Sequence, residues 1–446
     1  MFNYSESLTF LDHHVNFERM LNKARSADFK LNIVREALQK LGNPHANLKC
    51  VHIAGSKGKG STAAMIAAML KAAGFKTGLY TSPHLYDMRE RMRILSHQKQ
   101  TPDGIFGDEI ARDDFARIIF HIKNTLDETL REQLTYFEWL TIAAFLCFFE
   151  QQVDWVVLET GLGGRLDATN VVDSWAAVIT PIGLEHTQIL GDTLGKIAYE
   201  KAAIIKPSNK FVVIAEQYPE VEHVIRQKIE EVKATNVFRI GHEIGYKINK
   251  VSWSGQDIDV MIGLQKFTGL RMPLLGDCQG ANLTAALCVV EGLRGQGVKI
   301  SNDAVFQGAA AVSWPGRFEI ISGKQLFILD VCHTKESVHE FVKTLNRAFP
   351  GKKPVVILGI SSDKDIQGIC DQLKPVAREV IVVNGFHERA HTFTKEELKQ
   401  NFPGLPVSFF QFTVDALDYI RERRDVELTA VVGSVFLVAQ ARKIIS

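Results

Sequence analysis

The sequence predicts a two-domain α/β protein: a doubly wound, largely parallel sheet built around a glycine-rich anion loop, then a smaller Rossmann-like α/β domain. Three observations carry that prediction. At 446 residues the chain exceeds what one ordinary core encloses. Apolar runs of strand length alternate with helical periodicity, the pattern of parallel strands joined by helical crossovers. Residues 50–73, CVHIAGSKGKGSTAAMIAAMLKAA, join a short apolar run to an Ala/Met/Leu helix through a basic, glycine-rich turn.

Taken in order, residues 5–41 carry two helical patterns. Phe17, Met20 and Leu21 belong to the first, and Ile33, Val34, Ala37, Leu38 and Leu41 to the second, which Gly42-Asn43-Pro44 ends. Residues 50–54 read as strand, 55–60 as loop, and 61 onward as a helix apolar nearly all round, which implies burial between layers. Residues 76–80 read as a strand left through Thr81-Ser82-Pro83-His84, where Pro83 disfavours helix. Residues 96–110 read as a polar loop. Helices are expected over 113–130, 136–149 and 194–205, and strands over 153–158, 176–180 and 211–215. Alternation through 236–275 implies antiparallel strands flanking the main sheet, and a helix over 281–293 closes the unit. Gly295-Gln296-Gly297 is the expected hinge, dividing 1–296 from 297–446. Beyond it, strands are expected over 318–321, 326–329, 355–358, 380–383 and 428–432, with helices over 336–348, 395–401 and 414–424. Two such domains on a short hinge would enclose a ligand between them.

Composition narrows the function. The 52 basic and 51 acidic residues nearly cancel, so the chain lacks the electrostatic footprint of a nucleic-acid or acidic-membrane binder, and any polyanion site must be local. The longest apolar runs, such as 140–149, fall far short of the ~20 residues that span a bilayer, and the first residues carry no signal-peptide pattern. The cysteines Cys50, Cys147, Cys278, Cys288, Cys332 and Cys370 form no CxxC pair, which implies reduced thiols in a soluble, cytoplasmic protein.

The chemistry gathers at the anion loop. Gly55, Gly58 and Gly60 allow positive φ and close backbone approach, so that successive N–H groups and a helix N-terminus could converge on an oxyanion. Lys59 would reach the β/γ-phosphates of a nucleotide, and Ser61 or Thr62 could cap the helix or approach magnesium. The loop is only a cousin of the P-loop pattern GxxxxGK[ST], because Ile53 and Gly60 stand where its first glycine and its hydroxyl belong. A plain βα turn with solvated lysines is the alternative. Ligands in open parallel sheets gather at strand carboxyl ends, where Ser82, Glu159 and His186 also fall. A hard magnesium ion takes oxygen ligands and keeps waters, so one carboxylate, one hydroxyl and nucleotide phosphates form a reasonable shell, although each of the three residues alone reads as a cap or turn residue. The second glycine-rich stretch, GLGGRLDATN, follows Glu159 and offers Arg165 and Asp167 to a substrate.

These segments resemble a known family. IAGSKGKGST, TSPHLxxxRER, TYFEWLTIAAF, VVLETGLGGRLDATNVV, ITPIGLEHTxxLGDTxxxIAxEKAAIIKP, SWPGRFE, LGISSDKD and GSVFLVAQAR are similar, in order and spacing, to the folylpolyglutamate synthase/dihydrofolate synthase family of Mur-type ligases. The resemblance spans nearly the whole chain and is densest over 50–207. It implies a P-loop-containing, Mur-ligase-like central domain and ATP-dependent amide formation between a folate or dihydropteroate carboxylate and L-glutamate through an acyl phosphate. ATP would meet Gly55, Ser56, Lys57, Gly58, Lys59, Gly60, Ser61 and Thr62, with Asn282, Arg317 and Asp330. Ser82, Glu159, His186 and a carbamylated Lys201 would hold Mg²⁺. Without the family, Lys201 reads as a helix lysine paired with Glu200. Thr135, Tyr136, Phe137 and Glu138, with Leu166, Asp167 and Ala168, match segments facing the pterin-bearing substrate, and His333 lies on the glutamate side. The chain departs from the family at Asp330-Val331-Cys332-His333-Thr334-Lys335, where DxAHNP is usual, and at Asn32, Ala203 and Cys278. The expected protein is a cytoplasmic monomer acting on small molecules, with neither nucleic acid nor membrane as partner. Dihydrofolate synthesis and polyglutamylation both stay open. A Mur-type ligase for another carboxylic acid and a nucleotide-binding regulatory protein without glutamate transfer are the rival readings.

Overall fold

Every residue of the run 50–54 is buried, His52 included, as expected of a central strand covered on both faces. In the computed structural model, which describes residues 2–18, 30–97 and 106–445, helices α1 (Tyr4–Asp12) and α2 (Leu31–Lys40) precede this run, strand β1 (Cys50–Ala54). Phe17 falls in a turn after α1, while Met20, Leu21 and residues 98–105 lie outside the described residues. The chain continues through α3 (Lys59–Ala72), β2 (Thr77–Tyr80), β3 (Met92–Leu95), α4 (Arg112–Thr125), α5 (Glu128–Gln133), α6 (Tyr136–Glu150), β4 (Trp155–Glu159) and β5 (Ala176–Ile179). After these come α7 (Thr187–Leu190), α8 (Leu194–Ala202), β6 (Phe211–Ile214), α9 (Pro219–Val232) and β7 (Val237–Arg239).

These strands form one sheet in the order β3-β2-β4-β1-β5-β6-β7, parallel apart from the β2–β3 pair. The strand order turns around at β4-β1-β5, so the crevice outside their carboxyl ends is where a ligand belongs. Helix α3 is apolar all round because it packs on β2 and β4 and is covered again by a later helix.

Strands β8 (Ile244–Ser252), β9 (Gly255–Ile262) and β10 (Gln265–Met272) make a separate sheet in the order β10-β9-β8. Their two-residue connections suit antiparallel hairpins. Helices α10 (Asp277–Gly295) and α11 (Asn302–Ala311) follow. The chain divides into two compact units, Met1–Lys247 with Asp259–Thr268 and Ala281–Ala311, and Ile248–Ile258 with Gly269–Gly280 and Val312–Ser446. The first unit therefore runs past the hinge expected at 295–297. Its last helix, α11, is the cover of α3: a Cβ on Gly308 would lie 2.5 Å from Met69 Cα.

The second unit contains β11 (Glu319–Ser322), β12 (Leu326–Asp330), α12 (Lys335–Ala348), β13 (Val355–Leu358), α13 (Ile366–Leu373) and β14 (Glu379–Val383). It continues with α14 (Lys395–Asn401), β15 (Val407–Phe410), α15 (Thr413–Arg421), β16 (Leu428–Val432) and α16 (Val435–Ile445). Its sheet order is β11-β12-β16-β13-β14-β15, antiparallel only between β11 and β12.

Three boundaries differ from expectation for local reasons. The helix expected over 113–130 breaks, because Asp127 accepts the Leu130 N–H at 3.0 Å and caps a new helix, α5. Helix α8 stops at Ala202 rather than 205, ahead of Pro207, which disfavours helix at Lys206. Helix α3 starts at Lys59, two residues early, so Gly60 is a helical residue. No helix among the described residues is long and apolar enough to cross a membrane.

Candidate active site

The loop after β1 is pinned before it can meet a ligand. The Ser56 and Lys57 amides both donate to Pro181 O, at 3.0 and 3.2 Å. Ser56 Oγ donates to Gly183 O and accepts the Gly183 N–H, each at 3.0 Å. These donors are committed to the loop after β5, which corrects the expectation that the whole turn cradles an anion. What remains is the start of α3. Gly58 is its N-cap at φ 88°, with no side-chain cap, and the first amides of such a helix lack intrahelical partners and favour an anion. A Cβ at Gly58 would lie 2.3 Å from Asn282 Oδ1, and one at Gly55 (φ 152°) 1.9 Å from Thr180 Oγ1. Only glycine fits either place. Neither Ser61 nor Thr62 caps the helix. Both are buried within its first turn, and Thr62 Oγ1 has no partner among the described residues.

Two lysines meet on one carbonyl. Lys59 Nζ donates to Gly55 O at 2.9 Å, and Lys201 Nζ, from the last turn of α8, donates to the same oxygen at 2.8 Å. Lys201 is 1% exposed. Its second partner is Glu185 Oε1 at 2.7 Å. Burial first, then the Lys59 ammonium, lower the Lys201 pKa to about 8, with Glu185 opposing them. Burial raises the Glu185 carboxyl, but the Lys201 and Lys59 charges outweigh it and hold the group below the ordinary range. The Glu200–Lys201 pair weighed from sequence does not form, because Glu200 accepts from Arg165 at 2.9 Å. Glu185 is the site residue that sequence reasoning missed. Its signal was there in GLEHT, beside His186.

Glu159 ends β4 opposite Ile53 of β1, which places it beside the loop. Its Oε2 accepts the Ser82 N–H at 3.2 Å, so these two candidates are brought together. His186 is exposed, in a left-handed conformation (φ 47°) at the start of α7. Among the described residues no three His, Cys, Asp or Glu side chains are clustered to hold a metal. A magnesium ion, which keeps waters and phosphate oxygens, does not need such a cage, and the Glu159 carboxylate at the end of β4 is an oxygen donor of the kind it takes.

Residues 53–290 match the Mur ligase middle domain and 316–435 the Mur ligase glutamate ligase domain. The dihydrofolate synthase/folylpolyglutamate synthase of Bacillus subtilis is 30% identical over 424 residues, 93% of this chain and 94% of that one. The chain belongs to the folylpolyglutamate synthase/dihydrofolate synthase family of Mur ligases. It is an ATP-dependent glutamate ligase. The folylpolyglutamate synthase structure from Thermotoga maritima matches this ligase with a TM-score of 0.84 at 29% identity, covering 99% of this chain and 96% of that one. Escherichia coli FolC, solved in complex with DHPP and ADP, matches with a TM-score of 0.81 at 29% identity, covering 100% and 98%.

The remaining candidates of the ligase separate into those turned to internal work and those left available. Thr135 and Glu138 form the capping box of α6, with Glu138 Oε2 accepting both Thr135 N and Thr135 Oγ1 at 2.8 Å. Tyr136 donates its hydroxyl to Met88 Sδ. Phe137 is half-buried, its ring against Gly161, where a Cβ would come within 2.5 Å. Leu166 is half-buried, while Asp167 and Ala168 are buried.

In the second unit, Asp330 accepts the Phe318 and Cys332 N–H groups, each at 2.8 Å. Burial raises its carboxyl, with the Arg317 charge acting the other way. His333 places Nδ1 2.8 Å from Val331 O, and burial lowers its pKa. The departure from DxAHNP has a structural meaning here. Thr334 is the N-cap of α12, reciprocally bonded with Ser337, and Lys335 is the first helical residue. Threonine replaces asparagine as a cap and lysine replaces proline at N1, so the start of the helix is kept by equivalent chemistry.

Proposed function

We propose that this ligase phosphorylates the carboxylate of a folate-type acid, dihydropteroate or a reduced folate, and joins it to L-glutamate. A carboxylate oxygen attacks the γ-phosphorus of ATP as the bond to the β-phosphate breaks, giving an acyl phosphate and ADP. The glutamate amine then attacks the acyl carbon, the bond to the phosphate oxygen breaks, phosphate leaves and the nitrogen gives up a proton. No protein nucleophile is required, so catalysis is positioning and charge stabilisation.

The observation that carries this reading is the Lys59 ammonium on the Gly55 carbonyl beside the uncapped start of α3. The amides of residues 59–61 and Lys59 would take phosphate oxygens, and Asn282, packed on Gly58, would fix the loop around the nucleotide. Arg317 and Asp330 would serve the nucleotide, and His333 the glutamate. Ser82, Glu159 and His186 would hold magnesium, which neutralises charge on the transferring phosphoryl group when bound. The acid would meet Phe137 and Leu166, which keep open faces, more than Thr135 and Glu138, which are engaged with each other.

Lys201 would act as a carbamate: its neutral amine adds CO₂ and loses a proton, becoming an anionic oxygen donor. Its burial and lowered pKa support this. The carbamate would face Glu185 as a second anion, so modification and cation binding should go together.

Phosphate release with dihydropteroate or tetrahydrofolate, each with and without glutamate, tests the reading. Release that needs both acid and glutamate is expected. Equal release without either would leave a nucleotide-binding protein that has lost transfer, and release driven only by an unrelated acid would point to another Mur-type substrate.

A further inference from the structure

The phosphate strand and the glycine-rich 161–170 loop are tied together by a histidine that the reaction leaves unused. His52 lies in β1, three residues before Gly55, and is wholly buried between Leu158 of β4 and Ala177 of β5 in register. Its Nε2 is 2.8 Å from Thr169 Oγ1. That hydroxyl donates to Asp167 Oδ1, which also accepts the Thr169 N–H at 3.0 Å. The other carboxylate oxygen accepts the Leu162 N–H at 2.8 Å. One carboxylate thus closes the loop on itself, and one hydroxyl ties it to β1.

Proton counting fixes the direction. With Asp167 ionised, its oxygen takes the one proton of the Thr169 hydroxyl, and His52 Nε2 is then the donor to Thr169. His52 Nδ1 is then a bare acceptor, and it is buried with no partner among the described residues. An orphaned acceptor is a cost to the fold that an apolar side chain would avoid. Packing alone does not explain an imidazole here. Burial, and then the Lys206 charge, push its pKa down to about 3, so the ring stays neutral and the donor proton stays in place.

We propose that His52 is a positioning residue for the acid substrate. Its Nε2–H locks the Thr169 hydroxyl onto Asp167, and this sets residues 162–169 at a fixed height above the strand that carries the phosphate loop. The inference rests on the reading that Leu166, Asp167 and Ala168 face the acid. It joins the two halves of the first chemical step, since the acid carboxylate must meet the γ-phosphoryl group that the same strand presents.

The test uses the full chain and its variants His52→Leu, His52→Gln, Thr169→Val and Thr169→Ser, with KM measured for acid and for ATP, alongside thermal melting. Losing one positioned hydrogen bond in His52→Leu or Thr169→Val should raise the acid KM about five- to tenfold, with the ATP KM and the melting temperature little changed. His52→Gln, whose amide can stand in for Nε2–H, and Thr169→Ser should restore the acid KM. An acid KM near the parent value in His52→Leu and Thr169→Val would overturn the proposal. So would acid and ATP KM values rising together with a lowered melting temperature, the mark of a merely structural role. Nitrogen NMR of the parent reads the tautomer independently of turnover: an Nε2–H ring is expected, and an Nδ1–H ring would overturn the proposal even if the ligase reading stood. A parent with the expected tautomer but no turnover on any pteroyl acid would instead sink the ligase reading, and with it the role assigned to His52.

Discussion

Replacing Lys59 with alanine should lower ATP turnover by about 10²–10³-fold or more, the scale of losing one preorganised donor to developing transition-state charge. The fold should survive, because Lys59 is half-buried and its ammonium packs no core; it only shares the Gly55 carbonyl with Lys201. The loop itself is held by other contacts, from Ser56 and Lys57 to Pro181 and from Ser56 to Gly183. Turnover within a few-fold of the parent would return the loop to an ordinary βα turn. Circular dichroism and melting of the same sample separate lost chemistry from lost structure.

Lys201→Ala should abolish most activity, and a small carboxylate such as acetate should restore part of it by supplying the missing oxygen. Stripping CO₂ and bicarbonate should lower the parent's activity reversibly. Stability alone does not decide the question. In the unmodified protein, removing this lysine leaves the partly buried Glu185 without its cation, a loss of about 3 kcal/mol for a buried pair, so lowered stability does not report the carbamate. Chemical rescue does decide it. A plain Lys201–Glu185 ion pair gives no response to acetate and none to CO₂.

How far the chain could be read ahead of its structure follows from the range of the interactions. The β1–loop–α3 unit was legible because its signals are local: an apolar run, glycines and an apolar helix in one stretch of sequence. The commitment of the Ser56 and Lys57 amides to Pro181 was not, since it appears only when the loops after the neighbouring strands β1 and β5 meet at their carboxyl ends. The Lys201–Glu185 pair has the same origin. Strand β3 carries little local signal, because Arg93 within it and Arg91 just before it have the side chains of surface residues. They are buried instead, Arg91 in a two-pronged pair with Glu18 and Arg93 with Asp108. Helix α9 was legible in the i, i+4 spacing of Val221, Ile225 and Ile229 but went unread among its charges. The Thr135–Glu138 pair was legible locally, as a capping-box spacing before an apolar helix.

The central claim is that the acid is activated by phosphorylation at this loop before glutamate arrives. Turnover of an acid whose carboxylate oxygens are both ¹⁸O, in the presence of ATP, magnesium and glutamate, tests it most directly through mass analysis of the released phosphate. The account expects one ¹⁸O atom in each phosphate, since the carboxylate oxygen that attacks the γ-phosphorus leaves with it when the amine displaces the acyl phosphate. Phosphate free of label, released at the rate of amide formation, would contradict it.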